Sequence, residues 1–449
     1  MKDANQFNGM KILILGLAKS GYAATKLLHT AGALVTVNDA SPEEGNAEAA
    51  ELLSEGIRVI CGGHPPDILD EDYDIVVKNP GIPYSNTVVE EAIRKGIPVW
   101  TEMEIASRIS EAPIVGITGS NGKTTTTTLL YHMLNIGGKQ PLIAGNIGTV
   151  SCTVAEKATK DNIIVLEASS FQLMGTETFR PKIAIWTNLY DSHLDYHGTP
   201  EAYAAAKYNI SRNQTEEDFL IYNNDQPDLR KYATRSSAVK VPFSLMGMKE
   251  QGISADDEQI YWNGEPYVLR SVIKLPGQHN LENILAATAA AILLGCDKKA
   301  IENVLSSFTG VRHRMQFVKE LKGRKFYNDS KATNTLATKS ALAAFDAPTI
   351  LIAGGLDRGH SFEELGPYMK NVKVVIAVGE TAEKFREFAA SCGVDTITTA
   401  VDVKDAVRKA YPLSSAGDII LLSPACASWD QYPSFETRGD LFIEAVMEL

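Results

Sequence analysis

The sequence lacks the features of a membrane, disulfide-rich or nucleic-acid-binding protein. No apolar run approaches the roughly 20 residues needed to cross a bilayer. The five cysteines are scattered, without CxxC or similar metal-ligand spacing. A formal net charge of −12 argues against nucleic acid as a partner. The N-terminal segment contains Asp3 and reaches a glycine turn by Gly16, which is unlike a secretory signal. We therefore expect a cytoplasmic protein without membrane insertion, whose anionic ligands bind in locally basic pockets.

The chain is instead rich in alternating strand and helix patterns. Its 449 residues suggest about three domains at roughly 150 residues each. Short β-type runs alternate with amphipathic stretches, which predicts βαβ units and parallel sheets. We predict an α/β protein of three domains: residues 1–108, 109–311 and 312–449. The outer two are expected to be Rossmann-like, and the central one to have a P-loop ATPase-type parallel sheet.

The segment "TGSNGKTT", residues 118–125, resembles a phosphate-binding P-loop with altered spacing. The usual pattern has a glycine five residues before Gly122-Lys123, where this chain has Ile117. A hydrophobic strand precedes the loop and a helix follows it, as phosphate binding by backbone N–H groups requires. Lys123 could then reach the β- and γ-phosphates, and Thr124 could hold Mg²⁺. The alternative is a helix start capped by threonines.

A second glycine segment, "GLAKSG", follows the first predicted strand, and Asp39 ends the second. It resembles a dinucleotide-binding fingerprint in which Ala18 replaces the middle glycine. The added methyl group weakens a grip on a dinucleotide. Packing alone explains the segment equally well, and a diphosphate is the ligand that it would favour.

Acidic and histidine side chains follow two predicted strands of the central domain. Glu167 ends "IIVLE", at the edge where a doubly wound sheet presents its ligands. The next strand leads into a loop with Asp191, His193, Asp195 and His197, of which His193 is the strongest candidate for function. Hard Mg²⁺ prefers oxygen ligands, so histidine needs further support. The alternative is a solvated polar loop.

Lys207 lies on the apolar face of a predicted helix. By helical periodicity it shares that face with Tyr203, Ala206 and Ile210. Burial lowers the pKa of a lysine and makes its amine nucleophilic. The alternative is an amine that reaches solvent along its own stem.

Further polar residues start a helix or follow a strand. Asn283 lies on the first turn of the helix that "GQHNLEN" begins, and Arg314 closes "RHR". Both could contact a nucleotide. The segment "NDSKATN" ends a strand with Asp329, Lys331 and Thr333, a turn suited to anions.

Taken in order, these motifs closely resemble the Mur ligases over essentially the whole chain. The carriers include "TGSNGKTT", "EASSFQL", "SHLDYHG", "AAKYNI", "GQHNLEN", "NDSKATN" and "LLSPACASWDQYPSFETRGD". The family's P-loop has the same shifted spacing. "NDSKATN" and the "SPACAS" segment most resemble the member that adds D-glutamate to UDP-N-acetylmuramoyl-L-alanine.

The resemblance implies roles for individual residues. ATP phosphates would be wrapped by Thr118, Gly119, Ser120, Asn121, Gly122, Lys123, Thr124 and Thr125. Further nucleotide contacts would come from Asn283, Arg314 and Asp329. Thr124 and Glu167 would serve one Mg²⁺ and His193 a second, and Lys207 matches the family's carbamylated lysine. The UDP-sugar would lie on Lys19, Ser20, Gly81 and Asn146. D-Glutamate would lie on Lys331, Thr333, Ser428, Phe435 and Arg358, the last standing where some relatives have lysine.

The implied reaction is ATP-dependent amide formation through an acyl phosphate, in peptidoglycan precursor synthesis. Lys123, Glu167, His193 and Lys207 would be its catalytic residues. We expect ATP and Mg²⁺ as cofactors, UDP-N-acetylmuramoyl-L-alanine and D-glutamate as substrates, and a monomer. The alternatives are another Mur ligase or a folylpolyglutamate synthase, a nicotinamide-dependent oxidoreductase that uses "GLAKSG", and a P-loop binding module that forms no amide.

Overall fold

The computed structural model of the chain describes residues 2–190, 194–247, 250–359 and 361–449. It consists of two compact units that divide between Phe308 and Thr309. The first unit contains two sheets and the second contains one. None of the described helices is long and apolar enough to cross a membrane. The domain boundaries near 108 and 311 stay predictions.

The first sheet is wholly parallel. Its strands are β1 (Lys11–Leu15), β2 (Leu34–Asn38), β3 (Arg58–Ile60), β4 (Ile75–Lys78) and β5 (Val99–Trp100). Its helices are α1 (Lys19–Thr30), α2 (Ala47–Ser54), α3 (Thr87–Arg94) and α4 (Glu102–Ile109), after a 3₁₀ turn at Ala4–Phe7. The strand order β3-β2-β1-β4-β5 reverses between β1 and β4. The loops after these two strands therefore open side by side, which is where such sheets bind ligands.

The second sheet has nine strands. These are β6 (Ile114–Thr118), β7 (Gln140–Gly145), β8 (Asn162–Glu167), β9 (Ile183–Trp186), β10 (Phe219–Asn223), β11 (Val239–Ser244), β12 (Ile253–Ala255), β13 (Gln259–Trp262) and β14 (Glu265–Leu269). Their order is β14-β13-β12-β11-β10-β9-β6-β8-β7, parallel except where β13 pairs with β12 and β14. Because β6 lies between β8 and β9, the P-loop segment lies between the carboxyl ends of those two strands.

Helices cover this sheet. They are α5 (Lys123–Ile136), α6 (Ser151–Lys157), α7 (Ser170–Met174), α8 (Leu194–His197), α9 (Pro200–Tyr208), α10 (Pro227–Ala233), α11 (Gln278–Leu293) and α12 (Lys298–Ser307), with a 3₁₀ turn at Arg270–Val272. The alanine-rich α11 packs closely on α5, and apolar side chains of both join strand residues in one core. The helix that begins with the P-loop is thereby held firmly in place.

The second unit contains a six-stranded sheet. Its strands are β15 (Gln316–Leu321), β16 (Arg324–Asn328), β17 (Thr349–Gly354), β18 (Val372–Val378), β19 (Thr396–Thr399) and β20 (Ile419–Leu422). Its helices are α13 (Thr335–Leu342), α14 (Ala382–Ser391), α15 (Val403–Leu413) and α16 (Phe435–Met447), with a 3₁₀ helix at Glu363–Asn371. The order is β15-β16-β20-β17-β18-β19, with only β15 antiparallel to its neighbour. The predicted α/β class with parallel sheets is confirmed.

Candidate active site

The P-loop is a tight turn that only glycine fits at two positions. Strand β6 continues through Ile117 to Thr118, and Gly119 follows with φ of +152°. A Cβ at Gly119 would lie 1.9 Å from Thr187 Oγ1. At Gly122, where φ is +80°, it would lie 2.0 Å from Asn283 Oδ1. The shifted spacing therefore makes a close turn whose glycines let neighbouring side chains approach the backbone.

Side chains after β9 hold the outer part of the P-loop. The Asn121 N–H donates to Asn188 Oδ1 at 2.8 Å, and the Thr187 hydroxyl donates to the Asn121 carbonyl at 2.7 Å. Ser120 Oγ donates to the Tyr190 carbonyl at 2.9 Å. Thr187 and Asn188 carry no motif in the sequence, and their only signal is that both follow a strand whose neighbour carries the loop. The loop is thus preorganised by hydrogen bonds to the protein.

Two lysine amines converge on one carbonyl group of the loop. Lys123 Nζ donates to the Gly119 carbonyl at 2.7 Å and to the Ser120 carbonyl at 3.0 Å. Lys207 Nζ donates to the same Gly119 carbonyl at 2.8 Å and lies 3.5 Å from Thr118 Oγ1. The structure thus brings together two of the predicted catalytic residues at the P-loop. Thr124 and Thr125 follow in the first turn of α5.

Lys207 is buried, with 1% of its surface exposed. Burial lowers its pKa well below the usual lysine value, and the charge of Lys123 lowers that pKa further, while Glu167 opposes both effects. The Tyr203 ring centroid lies 4.7 Å from Nζ. The lysine on the apolar helix face is therefore a buried amine, which favours the neutral form.

Glu167 presents a buried carboxylate at the end of β8. Its Oε1 accepts a hydrogen bond from Asn146 Nδ2 at 2.8 Å. Its Oε2 has no hydrogen-bond partner among the described residues. His193, the other predicted metal ligand, lies outside the described residues. Nearby, His197 is buried with Nε2 2.9 Å from Ser170 Oγ, so it is not a side chain of a solvated loop.

A cavity of about 450 Å³ lies beside this carboxylate. Its walls contain all the predicted UDP-sugar residues, Lys19, Ser20, Gly81 and Asn146. The remaining lining residues are Ala18, Asn79, Pro80, Glu102, Gly145, Val150, Ser169, Phe171 and Gln172. Because Asn146 also binds Glu167, the cavity adjoins the predicted metal site.

The Asp39 carboxylate accepts hydrogen bonds from the backbone around the glycine segment "GLAKSG" and beyond it. Its Oδ2 accepts from the Leu17 N–H at 2.6 Å, and its Oδ1 accepts from the Ser41 N–H at 2.7 Å. Burial raises its pKa, but these hydrogen bonds outweigh burial and leave the pKa lowered. In a nicotinamide-dependent enzyme the equivalent carboxylate binds the ribose. Here it closes the loop instead, which argues against the oxidoreductase alternative.

In the second unit, the loops after β16 and β20 carry the other predicted residues. These strands are parallel neighbours, so their loops open on the same edge of the sheet. Asp329 follows β16 and accepts hydrogen bonds from the Met315 N–H at 3.1 Å and the Ser423 hydroxyl at 2.9 Å. Burial raises its pKa to about 7, against these hydrogen bonds and the charge of Arg314.

The residues predicted to bind D-glutamate lie around these loops. Lys331 Nζ is 5.6 Å from the Phe435 ring centroid, and the Thr333 N–H donates to the Lys331 carbonyl at 2.8 Å. Ser428 is buried, and its Oγ has no hydrogen-bond partner within the described ranges. Arg358 lies with its guanidinium 4.9 Å from a ring centroid of Trp429.

Arg438 is a buried residue that the sequence analysis did not assign. Its guanidinium donates to Ser330 Oγ at 3.0 Å, to the Ser330 carbonyl at 2.9 Å and to the Cys426 carbonyl at 3.1 Å. Burial lowers its pKa to about 10. It thereby joins the loop of Lys331 to the loop of Ser428. The arginine in "ETRGD" was the only available signal.

Comparison with known proteins identifies the class. Three family models match successive parts of the chain: "Mur ligase MurD-like, N-terminal domain" at residues 10–101, "Mur ligase middle domain" at 117–291, and "Mur ligase, glutamate ligase domain" at 313–426. The chain belongs to the Mur ligase family. It is therefore an enzyme of the ligase class.

Full-length relatives point to one branch of that family. The "UDP-N-acetylmuramoylalanine--D-glutamate ligase" of Geobacillus sp. (strain WCH70) is 56% identical over 450 residues, and that of Bacillus cereus (strain AH187) is 55% identical over 449 residues. Each alignment covers 100% of both chains.

Solved structures share the fold at lower identity. The UDP-N-acetylmuramate-alanine ligase MurC of Thermotoga maritima aligns with a TM-score of 0.56 at 20% identity, over 98% of this chain and 99% of that one. The MurF ligase of the same organism, solved in complex with ADP, aligns with a TM-score of 0.54 at 17% identity, over 100% and 97%.

Proposed function

We propose that the chain uses ATP to join D-glutamate to the alanine carboxylate of UDP-N-acetylmuramoyl-L-alanine. The observation that carries this proposal is the meeting of a buried amine, Lys207, with the P-loop carbonyl of Gly119. A binding module with no chemistry to perform has no need of such a costly buried group. The full-length relatives of the same printed name support the choice of substrates.

The P-loop is the proposed phosphate site. The segment Thr118 to Thr125 would wrap the phosphates, with backbone N–H groups at the start of α5 as donors, where the helix dipole favours anions. The Lys123 amine donates to the Gly119 and Ser120 carbonyls of the turn, and with ATP bound it would turn to the γ-phosphate. Asn283, Arg314 and Asp329 are the further nucleotide contacts that we propose.

The residues beside the P-loop fit Mg²⁺. The test is Glu167 Oε2, a buried carboxylate oxygen without a partner among the described residues. Such an oxygen is the ligand that Mg²⁺ prefers. Thr124 and His193 complete the proposed set with Lys207, whose neutral amine would add CO₂ and lose a proton to become a carbamate oxygen ligand. Bound Mg²⁺ would neutralise the phosphate and carboxylate charges.

The proposed reaction has two steps. A carboxylate oxygen of the alanine attacks the γ-phosphorus, the bond to the bridging oxygen breaks, and ADP leaves. The D-glutamate amine then attacks the acyl carbon, loses a proton, and phosphate leaves as the C–O bond breaks. Two like unit charges at 4 Å repel by about 4 kcal/mol at an effective dielectric near 20. Lys123 lowers this repulsion while the reacting groups are held in place.

The substrates have separate proposed sites. The cavity lined by Lys19, Ser20, Gly81 and Asn146 would hold the UDP-sugar. D-Glutamate would be held by Lys331, Thr333, Arg358, Ser428 and Phe435. The buried Ser428 hydroxyl, which has no partner in the described part of the chain, is available to a ligand carboxylate. We also propose that the chain acts in the cytoplasm as a monomer, which gel filtration with light scattering would test.

Mass spectrometry tests the reaction. The protein is incubated with Mg²⁺, ATP, UDP-N-acetylmuramoyl-L-alanine and D-glutamate, and the expected products are the dipeptide derivative, ADP and phosphate. Parallel mixtures replace D-glutamate with L-glutamate or a diamino acid, or replace the UDP-sugar with a folate. Product only in one of these mixtures would favour another Mur ligase or a folylpolyglutamate synthase. ATP hydrolysis without any amide would favour a P-loop module.

An isotope label tests the intermediate. With ¹⁸O in the alanine carboxylate, one labelled oxygen should appear in the released phosphate because the acyl C–O bond breaks in the second step. Amide formation with unlabelled phosphate would contradict an acyl phosphate.

A further inference from the structure

Lys78 is a buried lysine for which the proposed reaction has no use. It is the last residue of β4, and only 1% of its surface is exposed. Its Nζ donates to the Ile82 carbonyl at 2.9 Å and lies 3.4 Å from the Pro80 carbonyl. No ion pair involves Lys78 within the described ranges. Its Nζ also lies 4.7 Å from the Tyr84 ring centroid. A buried charge that contacts only neutral groups is costly, so these contacts call for a reason.

The contacts of Lys78 lie behind one wall of the cavity proposed to hold the UDP-sugar, which we call the acceptor cavity. Asn79, Pro80 and Gly81 follow Lys78 directly and line the cavity. Burial lowers the Lys78 pKa to about 8, so the amine is mainly protonated at neutral pH and serves as a donor. The ammonium thus holds the turn that carries Gly81, one of the proposed UDP-sugar residues.

Tyr196 reaches the same turn from the other sheet of the unit. Its hydroxyl lies 3.1 Å from the Ile82 carbonyl, 3.4 Å from the Pro80 carbonyl and 3.3 Å from Lys78 Nζ. Tyr196 belongs to α8, which follows β9 of the second sheet. Lys78 and Tyr196 therefore contact the same two carbonyls, those of Pro80 and Ile82, from different sheets.

From Tyr196 a series of contacts continues to the P-loop. The Tyr196 ring packs edge-on against Phe171 at 4.5 Å between centroids and lies 5.2 Å from the His197 ring. His197 lies 5.2 Å from the Tyr203 ring, and the Tyr203 hydroxyl is 3.1 Å from Ser120 Oγ. Phe171 lines the cavity, and Ser120 belongs to the P-loop. Packed side chains of this kind transmit displacement because protein interiors are hardly compressible.

We propose that Lys78 and Tyr196 are positioning residues that couple binding of the UDP-sugar to binding of the nucleotide. The proposal rests on the function proposed above. Closure of the cavity wall on the sugar nucleotide would be passed through Tyr196 and the aromatic cluster to the loop that holds Ser120. Because coupling is reciprocal, nucleotide in the P-loop would strengthen acceptor binding by the same factor.

Calorimetric titration of the full chain tests this coupling. The dissociation constant for UDP-N-acetylmuramoyl-L-alanine is measured with and without a saturating non-hydrolysable ATP analogue and Mg²⁺. The ratio of interest is the dissociation constant without the analogue divided by that with it. In the unsubstituted protein we expect this ratio to be about five or more. In Tyr196→Phe, which removes only a hydroxyl, and in Lys78→Met, the ratio should fall towards one. Tyr222→Phe on β10 is the matched control and should keep the full ratio.

The double variant shows whether Lys78 and Tyr196 couple the two binding sites through the same turn or independently. If both residues act through the same turn, Lys78→Met with Tyr196→Phe should lose no more of the ratio than either change alone. Equal weakening of binding with and without the analogue would show a merely structural role and overturn the proposal. A ratio near one in the unsubstituted protein would also overturn it, even if the dipeptide product forms. Absence of both acceptor binding and product would instead refute the proposed function, and the coupling with it.

Discussion

Lys207 is the residue whose chemistry depends most on its surroundings. A normal lysine amine has a pKa near 10.4, about three units above neutral pH, and only the neutral form adds CO₂. Burial and the charge of Lys123 lower the Lys207 pKa and so favour the carbamate. We predict that Lys207→Ala loses most activity, and that added formate or acetate restores part of it by supplying the missing oxygen ligand. Initial rates of Lys207→Ala with and without formate or acetate are the measurement.

The conservative substitution gives the control. Lys207→Arg retains a cation but cannot form the carbamate, so it should be as inactive as Lys207→Ala. Full activity of Lys207→Arg, with no rescue of the alanine variant, would mean that the residue acts only as a positive charge.

Lys331 is predicted to select the incoming amino acid. A charged hydrogen bond to a carboxylate contributes about 1.5 to 3 kcal/mol. Lys331→Ala should therefore raise the KM for D-glutamate about ten- to a hundredfold. The KM for ATP should hardly change, and Ser428→Ala should act in the same direction more weakly. If steady-state kinetics show that ATP binding suffers and D-glutamate does not, Lys331 belongs to the phosphate site.

Asp329 should make stability depend on pH. Its pKa of about 7 in the folded chain lies above the value near 3.9 expected on unfolding. Between these values the folded state keeps a proton that the unfolded state has released. The free energy of unfolding should therefore fall as the pH rises through this window, by about 1.4 kcal/mol per pH unit from this group.

Substitution isolates that contribution. Asp329→Asn should remove this part of the slope, while Asn in place of the exposed Asp346 should leave it unchanged. The measurement is urea unfolding between pH 4 and 7, monitored by hydrogen exchange in β16 and β20. A slope that Asp329→Asn leaves intact would show that the carboxyl group does not hold its proton.

At the scale of elements, the turn from β6 to α5 depends on glycine for more than backbone angle. Gly122→Ala would place a Cβ 2.0 Å from Asn283 Oδ1 in a backbone with φ of +80°. We predict that it abolishes nucleotide binding, measured by titration with an ATP analogue. Gly138, at the other end of α5, has φ of +70° and nothing within 4 Å of a built Cβ. Gly138→Ala therefore carries the same backbone strain without the clash and should still bind nucleotide.

The sequence predicted the elements that have strong patterns better than the short ones. Continuous apolar runs such as those of β1, β6 and β20 are buried on both faces, so their composition alone indicates a strand. Strands β3 and β5 have three and two residues, too few to show a period, and they form because neighbouring strands offer hydrogen bonds. The helix with Lys207 ends at Tyr208, sooner than the periodicity predicted, and Ile210 is fully buried in the turn that follows.

At the scale of the whole molecule, the division at Phe308 predicts that the two units respond separately to core damage. Phe385 is fully buried in the core of the second unit. Phe385→Ala should destabilise that unit by about 3 to 5 kcal/mol. Hydrogen exchange should quicken in β17 and β18, while β6 and β8 keep their protection. Leu285→Ala, in the core of the first unit, is the converse control. Equal loss of protection in both sheets after Phe385→Ala would contradict separate units.

The sequence by itself determined the class of the protein and most of its candidate residues. Parallel α/β architecture follows from alternating strand and helix patterns, and the order of the motifs identifies the Mur ligases. Lys207 was predicted because a helix has a fixed period, so a charged residue on the apolar face is visible in one dimension. Lys331 and Ser428 each follow an apolar strand run, and a shared edge follows from that pattern because the carboxyl ends of parallel strands share an edge.

Only the tertiary structure decided what each of these groups contacts. Asp39 could serve a ribose or close its own loop, and only the positions of the Leu17 and Ser41 N–H groups decide between them. Arg438 had no signal beyond its own letter in "ETRGD", and Lys78 had none, because both side chains bind mainly carbonyl groups, which every residue possesses. A backbone oxygen has no letter of its own in the sequence, so contacts with it arise only when the chain has folded.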